Sequence, residues 1–291
     1  MKKITIVIPA SEKAEILDLN NLNKQKIPLI IEKGPNPSKN RNQGVKKVKT
    51  PYVAFINTHT LLSSNWLKEI NSFISKYKSI DIVGGPQLNN KDEGFFAKSS
   101  GFALSSIFGA ATVSSRYKTG KIDFDANEFQ LTSANLICKK EVFKKVKFDE
   151  SLYPGEDPKF IADAKSAGFN VAYSPDIVVY NKRRTNLLSL SKQIFNYGKT
   201  RTMREGLSAI KNPAFAVPSL FLLYLITLPF TLALSSLFIY PIYLYILLNL
   251  IFSIYESSKN NILFSFFVLP FIFLTIHLSY GAGFIYGLFL R

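Results

Sequence analysis

The chain has 291 residues, enough for one large domain or two, with a formal net charge of +16 and a single cysteine, Cys138. That count excludes an intrachain disulfide and suits a reducing compartment, and Cys138, which follows Leu136 and Ile137, reads as a core residue. No Asp, Glu, Lys or Arg occurs from Asn212 to Tyr255 or from Asn260 to Leu290, which argues against a wholly soluble chain: the first run is long enough for two bilayer spans and the second for one.

Residues 1–211 hold 34 basic and 19 acidic residues, and Lys182, Arg183, Arg184, Lys192, Lys199, Arg201, Arg204 and Lys211 crowd the approach to the first apolar run. Such an excess suits nucleic acid, anionic lipid or a phosphorylated small molecule. Beside membrane-length segments the positive-inside rule comes first, and it predicts a multi-pass protein of the cell membrane with residues 1–211 in the cytoplasm. Nucleic acid is set aside, because the aromatic residues fall on core faces and spans instead of alternating with Lys and Arg.

In chain order, Ile4–Ile8 is a β-branched run expected of a strand covered on both faces and ended by Pro9, and that Pro with the polar stretch after it denies the N-terminus a signal-peptide core. Glu12–Leu22 has apolar residues at helical spacing. Leu29–Ile31 is a second strand, closed by Glu32, Lys33 and Gly34. Residues 34–44, GPNPSKNRNQG, are too rich in Gly, Pro and Asn for regular structure, with a short helix starting in their tail, Arg41–Lys49. Tyr52–Ile56 is a third strand, running into Asn57, Thr58, His59 and Thr60. Asn65 is placed to cap a helix over Trp66–Tyr77, and a fourth strand covers 80–85. This alternation predicts an α/β fold with a parallel sheet flanked by helices. Ligands then bind beyond the carboxyl ends of the strands, at Pro9–Ser11, Glu32–Pro35 and Asn57–Thr60.

Residues 94–120 break the rhythm and admit two readings, an interfacial helix or loop near a bilayer, or an ordinary core helix. A strand at 129–137 and a short helix at 139–146 lead into Phe148–Arg184. Here two adjacent carboxylates, Glu156 and Asp157, sit on a Pro/Gly turn that opens an amphipathic segment, Phe160–Ala167, with strands at 171–173 and 177–180 beyond. A placed carboxylate beside cations suits a general base acting on an anionic substrate; the alternative is an N-cap with a solvated charge. Leu187–Gly206 is helical in pattern. His277 sits in the last apolar run beside small residues at 281, 282, 283 and 287, as either an intramembrane functional group or a neighbour of glycine-mediated helix packing. No repeat, zinc-ligand spacing or phosphate-cradling Gly/Lys motif is evident.

Six segments in order carry a resemblance: IVIPA at 6–10, NPSKNRNQGVKKVKTPYVAFINTHT at 36–60, Asn65–Leu67, the stretch 133–184 with its Glu-Asp pair, QIFNYGKTR at 193–201, and HLSYGAGFIYG at 277–287. Together they resemble the membrane-anchored family 2 glycosyltransferases of the GT-A fold, in the branch that assembles exopolysaccharide or cell-surface glycan repeat units. The resemblance implies a Rossmann-like GT-A domain over residues 1–205 with a mostly parallel sheet, then an all-α membrane region over 206–291 with helices near 213–234, 237–255 and 262–290.

It also implies an inverting transfer from a nucleotide-sugar to a lipid-linked acceptor of the polyprenyl-phosphate type. Asp157 would be the base, with Glu156 orienting it or touching the acceptor. Pro9, Glu32, Arg41, Asn57 and His59 would face the donor. Asn135, Gln193, Tyr197 and Arg201 would meet the acceptor or a diphosphate, or else the helix that bears the last three only binds anionic headgroups. The largest departure is Asn57-Thr58-His59, where most family members have Asp-x-Asp to hold a divalent manganese or magnesium ion. An amide removes a charge from the ion's shell. Three readings follow: a weak metal site through His59 and Asn57, a metal-free enzyme using Arg41, Arg201 or Arg204, or an impaired relative. Alternatives for the whole chain are a polyprenyl-phosphate sugar synthase and a degenerate membrane scaffold.

Overall fold

A computed structural model describes residues 3–24 and 27–290. Packing divides the chain into two compact units, one built from residues up to Asn90 together with Ser115–Lys182, the other from Lys91–Ser114 together with Arg183 onward.

In the first unit β1 (Ile4–Ala10) pairs in parallel with β2 (Leu29–Lys33) on one side and β3 (Tyr52–Ile56) on the other. Its unbroken apolar run follows from this central position. Ile4, Ile6 and Ile8 join the core formed with Trp66, Ile70 and Phe73 of α3 (Trp66–Lys76), while Val7 joins the opposite core with Val45 of α2 (Pro37–Lys47). The strand continues through Pro9. Beyond Val7 only β2 is left to pair with, and Pro is tolerated at such a strand end.

The sheet order is β2-β1-β3-β7-β5-β8, with β5 (Ile82–Gly84), β7 (Asn135–Lys139) and β8 (Val171–Tyr173). The sheet is mixed instead of purely parallel, because β7 runs antiparallel to both β3 and β5. β7 also begins later than its apolar pattern suggests. The side chains of Asn127 and Thr132 accept from Phe129 N–H and Ala134 N–H, which bends residues 127–134 into turns. A second sheet, β4-β9-β6, is made of three-residue strands, β4 (Thr60–Leu62), β6 (Gln87–Asn89) and β9 (Val179–Asn181).

Two helices differ from the sequence pattern. α1 covers only Leu19–Lys24, because Leu17 N–H donates to Thr58 O at 2.8 Å and Asp18 accepts from Leu62 N–H at 3.0 Å, and these long-range bonds hold residues 17 and 18 out of a helical path. α2 begins at Pro37, earlier than expected. Asn36 caps it by accepting from Lys39 N–H at 3.0 Å, and Pro at the first helical position is pre-set for the turn. Asn65 precedes α3 as expected, yet its side chain makes no capping bond.

The second unit holds α4 (Phe95–Ser105), α5 (Ile107–Ala110), α7 (Leu187–Glu205), α8 (Pro213–Leu234), α9 (Tyr240–Lys259) and α10 (Leu269–Phe289). Most of α4 is buried here, so residues 95–110 are packed helix and not loop. Three helices, Pro213–Leu234, Ser236–Lys259 and Leu269–Phe289, are long and apolar enough to cross a membrane. α7 and α10 meet backbone to backbone: a Cβ on Gly198 would lie 2.2 Å from Tyr280 O, and one on Gly283 would lie 2.0 Å from Phe195 O. His277 is held in place through both ring nitrogens, Nε2 donating to Phe108 O at 2.7 Å and Nδ1 accepting from Tyr245 O–H at 3.0 Å.

Candidate active site

The acid pair opens α6 (Glu156–Ser166) directly after Gly155, whose φ of 112° is open to glycine and strained for other residues. Gly155 is therefore the cap residue, and Glu156 is only 4% exposed, so the pair is not a solvated N-cap. Phe160, Ile161 and Ala164 on the buried side of α6 fix the helix against the core, with Phe160 stacked on Phe148 at 4.4 Å between centroids. The peptide between Tyr153 and Pro154 is cis.

The segment leading to this helix is tied down by α2. Asn42 bonds both ways with the Phe148 backbone, accepting from its N–H at 3.1 Å and donating to its O at 2.9 Å, and it also donates to Glu150 Oε1 at 3.0 Å. Asn36 donates to Glu150 O at 2.7 Å. Asn40, two residues before Asn42, donates to Ala10 O and Gly34 O, so the same helix fixes the ends of β1 and β2. Gly44 lets α2 approach the sheet, because a Cβ there would lie 2.4 Å from Val7 Cγ1. The Asn-rich segment that looked irregular thus holds the site's surroundings.

Arg41 on α2 draws the candidate residues together. Its Nη1 donates to Glu156 Oε1 at 2.9 Å, its Nη2 lies 3.9 Å from Asp157 Oδ1, and the same Nη2 donates to Asn57 Oδ1 at a long 3.5 Å. The guanidinium rests 5.2 Å from the Phe148 ring centroid. Burial, with the neighbouring Asp157 charge, pushes the Glu156 carboxyl up to about 7, outweighing the opposing pull of Arg41. Two polar atoms here are buried without a hydrogen-bond partner among the described residues, Asp157 Oδ1 and Arg41 Nε. A buried donor and a buried acceptor left open on two residues of one cluster point to a ligand that satisfies them.

Asn57, Thr58 and His59 form the turn between β3 and β4, at the carboxyl end of β3. His59 is exposed, and its carbonyl accepts from Lys182 N–H. These residues do not fit a dedicated divalent site. The turn has no carboxylate, the Asn57 amide oxygen faces a guanidinium, and both α6 carboxylates lie against that same cation. Among the described residues no group of three or more His, Cys, Asp and Glu side chains could hold a metal ion.

Behind the turn runs a buried amide chain: Asn57 N–H donates to Thr60 Oγ1, Thr60 to Asn181 Oδ1, and Asn181 to Gln87 Oε1. Asn135, at the start of β7, accepts from Trp66 Nε1–H at 3.0 Å and donates to Ile177 O at 2.6 Å, which gives its amide a packing role. Pro9 and Glu32 stand opposite each other in the β1–β2 register, and Glu32 pairs with Lys47 Nζ at 2.6 Å. Gln193, Tyr197 and Arg201 belong to the second unit, all on α7. There Gln193 Nε2 donates to Tyr197 Oη at 2.8 Å, and Arg201 donates to Glu205 at 2.7 Å.

Residues 12–146 match the sequence profile described as Glycosyl transferase family 2. This stretch contains Arg41, Asn57 and His59 and ends before Glu156 and Asp157. No curated protein gives a significant match by sequence. Similar solved structures include S. aureus TarS 1-349, with 15% identity over 69% of this chain and 65% of that one and a TM-score of 0.44. TarS 1-349 in complex with UDP-GlcNAc is similar at 14% identity over 69% and 66% of the two chains, with a TM-score of 0.43. A197 from STIV is similar at 14% identity over 63% and 95%, with a TM-score of 0.40. The chain spans 65% of the length of the TarS 1-349 chain and 40% of that of TarS.

Proposed function

On the premise that the chain carries a family 2 glycosyltransferase domain in a GT-A fold, we propose that it is an inverting glycosyltransferase that moves a sugar from a nucleotide-sugar to a hydroxyl of a lipid-linked acceptor. The observation that supports this reading most is the pair of open polar atoms, Asp157 Oδ1 and Arg41 Nε, in one buried cluster at the carboxyl end of β3. Asp157 takes the proton of the acceptor hydroxyl as that oxygen bonds to the anomeric carbon. The bond from this carbon to the diphosphate breaks on the opposite face, and the electron pair leaves with the nucleoside diphosphate. Glu156 positions the base, and Arg41 is assigned to the donor. Pro9, Glu32, Asn57 and His59 are assigned to the donor side, Asn135 to supporting the acceptor side from within the core.

The three apolar helices are consistent with membrane association, which is where a polyprenyl-type acceptor lies. In this reading residues 1–205 act from the cytoplasmic face of the cell membrane, residues 206–291 are the multi-pass anchor, and Gln193, Tyr197 and Arg201 meet the acceptor's phosphate. The product belongs to surface polysaccharide assembly.

The test is a screen of labelled nucleotide-sugars, UDP-GlcNAc among them, on membranes holding the full chain, followed through the lipid-soluble fraction. Asp157→Asn should lower transfer by about 10²–10⁴-fold, the usual contribution of a positioned base, while thermal unfolding stays as in the parent. Full activity in that variant removes Asp157 from the role.

A further inference from the structure

We infer that the donor diphosphate is charge-balanced by the Arg41 guanidinium, and that donor binding needs no bound divalent cation. The inference rests on the transferase reading above and goes further, by naming what stands where a metal is expected. Three groups that could surround a cation at this strand end, Asn57, Glu156 and Asp157, all face Arg41 instead. A divalent ion among them would sit against a fixed positive charge that is 3% exposed and poorly screened.

The residue types agree with the geometry. Asn57 contributes a neutral carbonyl oxygen where a carboxylate would attract an ion, and a neutral oxygen is the partner a guanidinium accepts without cost in charge. A guanidinium carries five donors in a planar fork that matches paired phosphate oxygens. Arg41 spends its Nη1 on Glu156, makes only long contacts from Nη2, to Asn57 and Asp157, and keeps Nε–H buried and unsatisfied. Because burial raises the Glu156 carboxyl, a share of molecules near neutral pH holds that group uncharged, which leaves the Arg41 charge available.

The position is also built to last. Asn40 and Asn42 bind backbone on either side of Arg41, and Gly44 seats the helix on β1, so the guanidinium is presented from a fixed support.

The experiment uses the purified full chain in detergent. Uridine, guanosine, cytidine and thymidine diphosphates are titrated by calorimetry with chelator and again with saturating manganese, and manganese alone is titrated by electron paramagnetic resonance. The expected result is diphosphate binding that differs less than about threefold between the two conditions, which is well under the 1.4 kcal/mol of a tenfold change. Manganese alone should show no stoichiometric site, Arg41→Gln should weaken the diphosphate at least about tenfold in both conditions, and Asn57→Asp should create a dependence on manganese that the parent lacks. Binding that appears only with manganese, or a stoichiometric manganese site in the parent, overturns the inference while leaving the transferase reading intact. The parent measurements decide this even where Arg41→Gln fails to fold. No diphosphate binding in either condition overturns both.

Discussion

α3 and α9 are both sided helices, and their sides are reversed. α3 buries Trp66, Ile70, Phe73 and Ile74 and exposes Lys68, Ser72, Ser75 and Lys76. α9 exposes Leu244, Leu247, Ile251 and Ile254 and buries Asn249, Ser253, Glu256 and Ser257. In water the first arrangement is stable and the second would leave a broad apolar face hydrated. In hydrocarbon the second is the stable one, because the polar groups find partners inside: Asn249 donates to Pro270 O at 3.1 Å, Ser253 to Asn249, and Ser265 to Ser257. The comparison teaches that the outward face of α9 suits hydrocarbon as that of α3 suits water, and that composition alone does not tell which side of a helix is the inside.

The most damaging way to break the comparison is at the glycine contact of the second unit. Gly283→Leu puts a side chain where backbone now touches backbone, and we expect a loss of about 3 kcal/mol or more, read as a lowered unfolding temperature of the full chain in detergent. In the first unit, Asn135→Ala leaves Trp66 Nε1–H and Ile177 O without their partner, for a loss of about 1–3 kcal/mol in the same assay. An unchanged unfolding temperature in either variant would contradict the packing described.

The next effect is confined to a pH window. The Glu156 carboxyl is raised from 4.5 to about 7 in the folded chain, so the fold binds a proton there that the unfolded chain releases. That contribution is complete below pH 4.5 and is lost as the pH rises through 7. The unfolding temperature should therefore fall between about pH 5 and pH 8, and Glu156→Gln should flatten that slope. Smallest is Asn249→Leu, where a hydrogen bond in an apolar surrounding is traded for packing, at a cost of about 1 kcal/mol. A loss several times larger would mean that Asn249 counts for more than its one bond to Pro270 O.

Much of this architecture was legible in the chain. The strands at 4, 29, 52 and 82, the helix from Trp66 and the three apolar helices all follow from periodicity and length. The direction of β7 was not, since an apolar run of five residues reads the same whichever way it pairs. The three-residue strands of the small sheet are too short to carry a pattern. Residues 34–44 were misread because Asn-Pro is a turn signal as well as a helix start, and only the Asn36 bond to Lys39 distinguishes the two.

For the site, Glu156, Asp157, Arg41 and Asn57 could each be singled out as candidates. Their convergence could not, because Arg41 and Glu156 are 115 positions apart and no local rule joins them. The Asn42 clamp was missed for the same reason, although the crowding of asparagine between 36 and 42 was its visible trace.

Arg41 and Asn42 are consecutive on α2, one gripping the side chain of Glu156 and the other the main chain at Phe148. Any tilt or slide of that helix would carry the charge partner and the approach to the acid pair along together, with their spacing preserved. A mutation far away that shifts α2 should then alter how substrate is met without detuning the carboxylates, much as a tool head moves whole when its arm is swung.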